Sequence, residues 1–382
     1  MDILLVAPQP FFTVRGTPLA VRELALTFVS LGHTVDVLTY HLGSDIAAPG
    51  LRIYRTRLFS RRIRAIPPGF SIGKLLLDLI LVPKAIRLIL TRRYDVVHCV
   101  EESALFLFPV RWLSRALFVY DMDSDIPAQM TESGHLKNLV EHRVARIIER
   151  AALARSDAVV TICPVFTDRV RGLFPGKAVF QIEDVSVTEE PAPPAPPPGP
   201  RTILYTGNFE EYQGVELLLN AFMRIRDTHP DARLVIVGGE EDEVRALAGR
   251  YADPRIVFAG KKPPSEIPGA MSGASILASP RACGENTPYK IYSYLAAGKP
   301  ILATDIVSHS QVLTDGVHAL LMPPTEAGIA EGLRRLLDDP AMASALGRNA
   351  RKLFEERYSR ARYREKVAAL ADYLEAKSNR TR

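Results

Sequence analysis

The sequence predicts two doubly wound, Rossmann-like α/β domains facing each other across a cleft, and three observations carry that expectation. The chain has 382 residues, more than one hydrophobic core usually organises. Short runs that are apolar almost throughout alternate with helical patterns, as parallel strands do when helices cover both faces of their sheet. Residues 188–200, TEEPAPPAPPPGP, hold seven of the 29 prolines and separate two such series. Proline lacks the amide that a helix or a central strand needs, so this stretch is expected to be an extended spacer. It divides a first domain at 1–187 from a second at 201–341, with a helical tail over 342–382.

In the first domain ILLVAP is the expected leading strand. The helix after it should run from Pro18 to Leu31, opened by Thr17 and closed by Gly32 ahead of the strand TVDVLTY. Open α/β sheets bind ligands beyond the carboxyl ends of their strands. The loop FFTVRGTP lies at such an end, so Arg15 is available to an anion there, Gly16 lets a ligand approach the backbone, and Thr17 sits at the helix start. From Ile46 to Leu77 there is no acid, while Arg52, Arg55, Arg57, Arg61, Arg62, Arg64 and Lys74 accumulate. The apolar stretch that follows, GKLLLDLILVPKAIRLILTRR, is interrupted by Asp78, Pro83, Lys84 and Arg87, which argues against a membrane span. Polybasic surface beside Leu, Phe and Ile fits an anionic membrane, and Arg61, Arg62 and Arg64 are its expected contacts. Nucleic acid is the competing partner for a chain of net charge +5, but no recognition module with interleaved aromatics is present, so none is expected.

DVVHCV, ALFVYD and AVVTICP are the further strands of this domain. His98 and Glu101, at the end of the first of them, should face the cleft. They orient an acceptor there, or are a hydrogen-bonded loop histidine and a solvated acid. In ALFVYDMDSDIP, Asp121, Asp123 and Asp125 form two Asp-x-Asp pairs of the kind that hold Mg²⁺ beside a diphosphate. Cations at a helix start give a metal-free way to hold phosphate, and no essential metal or other cofactor is expected.

TILYTG, RLVIVGG, RIVFAG, ASILASP and PILAT are the strands of the second domain. Ser279 to Thr304 is the most informative stretch: SPRACGENTPYKIYSYLAAGKPILAT. Thr287 is a favoured N-cap, Pro288 suits the first helical position, Gly298 ends the helix, and ILAT follows as a buried strand. The free amides of that helix start attract an anion, with Lys290 in its first turn and Arg281 upstream. Glu285 is the acid among these cations. It would repel a phosphate, so its role is assigned to sugar hydroxyls or to charge developing in a transition state.

These residues resemble the signature region of family 4 nucleotide-sugar glycosyltransferases, retaining enzymes of the GT-B fold. Members carry two glutamates separated by seven residues ahead of Ala-x-x-Gly-x-Pro, and Ala296, Gly298 and Pro300 fix that register. The first glutamate becomes Glu285; the second position, which in the family holds ribose, falls on Ser293. Asn286, Thr287 and Lys290 match a subtype with Asn-Thr-Pro-x-Lys. At YTGNFEEYQG, Gly207 and Gly214 align with the family, but the two cations that usually neutralise the donor diphosphate become Asn208 and Gln213. Both still donate hydrogen bonds without bringing charge, so Arg281, Lys290 and Arg15 are expected to compensate. Aligning Tyr120, Asp121 and Pro127 puts Asp123 where relatives often have a histidine near the reacting sugar. An ionised Asp accepts a hydroxyl, or positions the acceptor, but cannot donate. The resemblance also implies that the last helix returns to the N-terminal domain.

Cys99, Cys163 and Cys283 show no metal or redox spacing, and Met1 leads directly into the first strand pattern, so a reducing, cytoplasmic location on the inner membrane face is expected. The resulting expectation is a retaining hexosyltransferase that uses a nucleotide diphosphate sugar, UDP favoured and GDP possible, and a lipid or lipid-linked acceptor. A non-catalytic sugar-nucleotide scaffold and a nucleotide-sugar epimerase are the alternatives. Nucleobase, sugar and acceptor are not specified by these residues.

Overall fold

The computed structural model of the chain describes residues 1–13, 16–56, 66, 72–132, 138–186 and 201–381. They form two compact units, Met1–Glu183 together with Tyr363–Arg382, and Asp184–Arg362. In the first unit β1 (Asp2–Ala7), β2 (Thr34–Thr39), β3 (Leu51–Arg55), β4 (Val96–Val100), β5 (Leu117–Met122), β6 (Ala158–Thr161) and β7 (Val179–Gln181) make one sheet, ordered β3-β2-β1-β4-β5-β6-β7. In the second, β8 (Arg201–Thr206), β9 (Ala232–Val237), β10 (Ile256–Gly260), β11 (Ile276–Ser279), β12 (Ile301–Thr304) and β13 (Leu320–Met322) are ordered β10-β9-β8-β11-β12-β13. Every pairing is parallel. Both sheets therefore reverse their winding once, between β1 and β4 and between β8 and β11, and those are the points where open α/β sheets take ligands.

All ten strands expected from the apolar runs are present. β3, β7 and β13 were not anticipated, because β3 lies in the arginine-rich stretch and the other two are three residues long, too short to show a period. The helix after β1 spans Gly16–Ser30, so Thr17 lies inside its first turn rather than at its cap. The helix Ile72–Thr91 runs through Pro83 without ending there, and no described helix is long and apolar enough to cross a membrane. Arg15, Arg61, Arg62, Arg64 and the spacer at 188–200 lie outside the described residues.

The tail returns later than expected. Pro340–Leu353 packs on the second unit, where Ala350 and Leu353 join the core that holds Tyr294 and Leu295. A Cβ on Gly347 would come 2.5 Å from the carbonyl oxygen of Gly298, a contact that requires glycine and ties this helix to the end of the signature helix. Only the last helix, Arg360–Thr381, adds to the first unit, through Lys366 to Glu183 and the Tyr373 hydroxyl to the Asp157 carbonyl at 3.3 Å.

Gly214 shows how tightly the second switch point is built. Its φ is +68°, and a Cβ there would lie 2.0 Å from the carbonyl oxygen of Pro280, just after β11. Gly214→Ala is therefore expected to destabilise the protein by about 2–4 kcal/mol through strain and overpacking. Gly249, in the helix Glu241–Arg250, has nothing within 4 Å in the Cβ direction. There the same change should stabilise slightly. Paired melting curves check both; equal midpoints for the two variants would contradict the packing described.

Candidate active site

The site at the second switch point begins with two strand ends. β8 stops at Thr206 and β11 at Ser279, and the helix Tyr289–Ala297 is fastened to both by one side chain. The Tyr294 hydroxyl accepts from the Thr206 amide at 3.0 Å and donates to the Ala278 carbonyl at 3.3 Å. The helix start differs from expectation by one residue. Pro288, extended at ψ 132°, is the N-cap, Tyr289 is the first helical residue, and Thr287 makes no cap. The Thr287 hydroxyl is instead a buried oxygen without a hydrogen-bond partner, on a residue 2% exposed. Gly298 ends the helix at φ +64°, as expected.

Lys290 is half-buried in the first turn. Its Nζ lies 3.9 Å from the centroid of the Tyr205 ring and donates to Gln213 Oε1 at 3.1 Å. Burial, and then the charge of Arg281, push the ammonium well below its ordinary pKa. An anion would relieve that tension. Gly207, at the end of β8, leaves the space: a Cβ there would stand 2.8 Å from the Lys290 nitrogen and from the Tyr205 hydroxyl. Gln213 is thus tied to Lys290, while Asn208 is exposed.

Arg281 is 7% exposed and holds the loop after β11. It donates to the Cys283 carbonyl at 2.7 Å, to the Asn286 carbonyl at 2.9 Å and to Asn286 Oδ1 at 2.9 Å, and it lies over the Tyr212 ring at 5.1 Å. Gly284 makes this possible, since a Cβ at its φ of +111° would come 2.4 Å from the guanidinium. Arg281 therefore shapes the loop that carries Glu285, in addition to the charge expected of it. The Glu285 carbonyl is held by Gln311 Nε2 at 2.7 Å, which fixes the backbone of the same loop from the other side.

Beside the loop lies a polar group with no local signature in the sequence. His309 is fully buried and contacts Ser279 Oγ at 2.9 Å and the Thr304 carbonyl at 2.8 Å. Burial pushes its pKa down to about 3, so it is a neutral strut. Tyr294 and Gln311 were likewise missed, because a single tyrosine or glutamine has no spacing that distinguishes a strut from a surface residue. Ser293, 6% exposed, is brought to Ser186, whose hydroxyl donates to it at 3.4 Å.

In the first unit the expectations need correction. His98 does not face outward. It is fully buried, with Nε2 2.8 Å from Asp121 Oδ2 and its ring against Phe28 at 6.2 Å. It was expected to face the cleft from the strand end, but it lies in the middle of β4, where every residue is buried. Glu101 is not a solvated acid: it takes Lys74 at 3.6 Å and the Ser124 hydroxyl at 3.2 Å. Lys74 also pairs with Glu102 at 2.6 Å, which removes it from the basic surface. Beside it, burial and the Glu102 charge push the Asp78 carboxyl up to about 8 while it accepts from the Tyr40 hydroxyl at 2.5 Å. Asp125 is committed to Arg146 at 2.8 Å and to Arg169. Asp123 is 7% exposed. Gly16 has open space in its Cβ direction.

Residues 186–353 match the family of glycosyl transferases group 1, and residues 15–182 match the glycosyl transferase 4-like domain. The phosphatidyl-myo-inositol mannosyltransferase of Mycolicibacterium smegmatis is 26% identical over 346 residues, 89% of this chain and 85% of that protein. The glycogen synthase of Mycobacterium tuberculosis is 26% identical over 379 residues, 92% of this chain and 90% of that one. Among solved structures, sucrose-phosphate synthase from Thermosynechococcus elongatus superposes with a TM-score of 0.80 at 19% identity, covering 98% of this chain and 99% of that one. Anabaena HepE in complex with UDP-glucose superposes at 0.72 and 15% identity, covering 98% and 100%. At such identities the two structures speak to the fold alone.

Proposed function

Because the chain belongs to the family 4 glycosyltransferases of the GT-B fold, we propose that it moves a hexose, with retention, from a nucleotide diphosphate sugar to a lipid or lipid-linked acceptor at the inner membrane face. The observation that carries the donor half is the buried-side Lys290 ammonium at a helix start, next to Gly207 and without the two family cations. The first amides of a helix lack the i−4 acceptor that later ones have, and although the Ile291 amide here donates to the Pro288 carbonyl at 2.9 Å, the helix start still offers an anion backbone donors beside the Lys290 charge. UDP is the favoured nucleotide, with GDP possible. The lipid acceptor rests on the relative named phosphatidyl-myo-inositol mannosyltransferase and on the acid-free run from Ile46 to Leu77.

In this mechanism the acceptor oxygen bonds to the anomeric carbon on the face from which the phosphate leaves. The bond from that carbon to the phosphate oxygen breaks, and the departing diphosphate takes the acceptor proton. Lys290 stabilises the charge that grows on the leaving group, and Glu285 holds the sugar or the positive charge on its ring. Asp123 accepts an acceptor hydroxyl, and Ser293 with Thr287 contributes hydroxyls to the nucleotide. The test is proton NMR of an α-linked UDP-hexose during turnover in EDTA. The first product should carry the α configuration. An initial β product would contradict retention, and an unconsumed panel of UDP- and GDP-hexoses would contradict the donor assignment.

A further inference from the structure

Ten of the thirteen large hydrophobic side chains exposed among the described residues lie on one layer of the first unit. The layer consists of the helices Ile72–Thr91, Ser103–Leu107 and Leu139–Arg155 and the short turn Phe108–Leu113. These follow β3, β4 and β5, and right-handed crossovers on that side of the switch point place them on the same face of the sheet. Their inner sides share one core, where Leu77, Leu81, Ala152 and Leu153 meet Val97 and Phe118.

Their outer sides are apolar as well. On Leu139–Arg155 the inward residues include Glu149 and Leu153, while Val140, Val144 and Ile147, spaced as one helical stripe, are 69%, 50% and 65% exposed. On Ile72–Thr91, Leu76 and Leu79 are 51% and 65% exposed, and Trp112 is 79% exposed. A surface helix usually turns such a stripe inward, and a patch of this kind marks an interaction face. The charges at its edge are cationic. Asp78, the sole acid between Ile46 and Tyr94, is buried, while Arg87, Arg93, Arg143 and Arg150 are exposed against Glu141.

We propose that this helical layer docks into the interfacial region of an anionic bilayer. Apolar side chains at headgroup depth with arginines at the rim suit that partner. A second copy of the chain fits less well, because a two-fold contact would set the arginine rim against itself. The choice of a bilayer rests on the lipid-acceptor reading above, whereas the face itself is independent of it.

Trp112 is the only tryptophan of the chain, so its fluorescence reports this face. The full chain is mixed with phosphatidylcholine vesicles, with and without phosphatidylglycerol, at physiological salt. With the anionic lipid, the Trp112 emission should shift to the blue and be quenched by brominated acyl chains. The double substitution Val144→Glu with Ile147→Glu should weaken partitioning at least tenfold, and Leu79→Ser should weaken it less. Melting and nucleotide binding should stay at wild-type values, since all three positions are exposed. Unchanged Trp112 emission would overturn the proposal. So would binding that survives the substitutions but vanishes with added salt, which would move the contact to the arginine run at 61–64. A dimeric parent with a monomeric double variant would overturn it in favour of contact between copies. Insertion of Trp112 by a chain that consumes no sugar nucleotide supports the docking face and removes the proposed function.

Discussion

Lys290→Ala is expected to lower turnover of the sugar nucleotide by roughly 10²–10³-fold, the cost of removing one donor to a developing oxyanion. The size follows from how little else at the site is cationic. Asn208 and Gln213 stand where the family resemblance implies cations, and the Arg281 guanidinium already donates to the loop carbonyls of Cys283 and Asn286. Lys290 is held against the Tyr205 ring and Gln213, so its charge is poorly solvated before the donor arrives. A diphosphate that restores the partner of a desolvated ammonium gains more than one that meets a hydrated surface lysine. Arg281→Ala should act differently, loosening the loop and weakening both donor use and the placement of Glu285. Steady-state kinetics on the two variants separates these effects; a Lys290→Ala enzyme that keeps parental turnover would contradict the assignment.

Glu285→Gln is expected to abolish most transfer, by more than about tenfold, while leaving nucleoside diphosphate affinity at the parental level. The carboxylate sits in a loop fixed by Arg281 on one side and by Gln311 on the other, so the amide should occupy the same place without charge. Its negative charge does nothing for a phosphate and much for a sugar ring that becomes cationic in the transition state. Calorimetry with the diphosphate and a transfer assay on one preparation give both quantities. Lost nucleotide affinity with intact transfer would place Glu285 on the ribose.

The fold was legible because its core strands are continuous apolar runs and because glycine marks the places where the backbone must turn or touch. The signature helix was read to within one residue of its start. The error came from Thr287 and Pro288, which satisfy the rules for a cap while the chain stays extended through Pro288. What the sequence hid were side chains whose role depends on three-dimensional neighbours. Tyr294 bridging two strand ends and His309 beside the loop have no local pattern, and neither does the sharing of Lys74 by Glu101 and Glu102. His98 was misjudged for the same reason: the pattern gives its strand, and the partner that buries it, Asp121, comes from the next one. The stripe Val140, Val144 and Ile147, at a spacing that ordinarily faces a core, is exposed, and helical spacing alone does not say which side of a helix the fold covers.

The central claim is that the second sheet holds the diphosphate of a sugar nucleotide at its switch point, with Lys290 supplying the charge. Isothermal titration of the full chain and of Lys290→Ala with UDP, GDP, ADP and dTDP, and with the matching nucleosides, tests it most directly. One diphosphate should bind the parent far more tightly than its nucleoside, and should lose that advantage in Lys290→Ala. Saturation at 100 times the Kd should then stabilise the parent by about 2.7 kcal/mol. A parent that binds none of the diphosphates, or that binds a nucleoside as tightly as its diphosphate, would contradict the account.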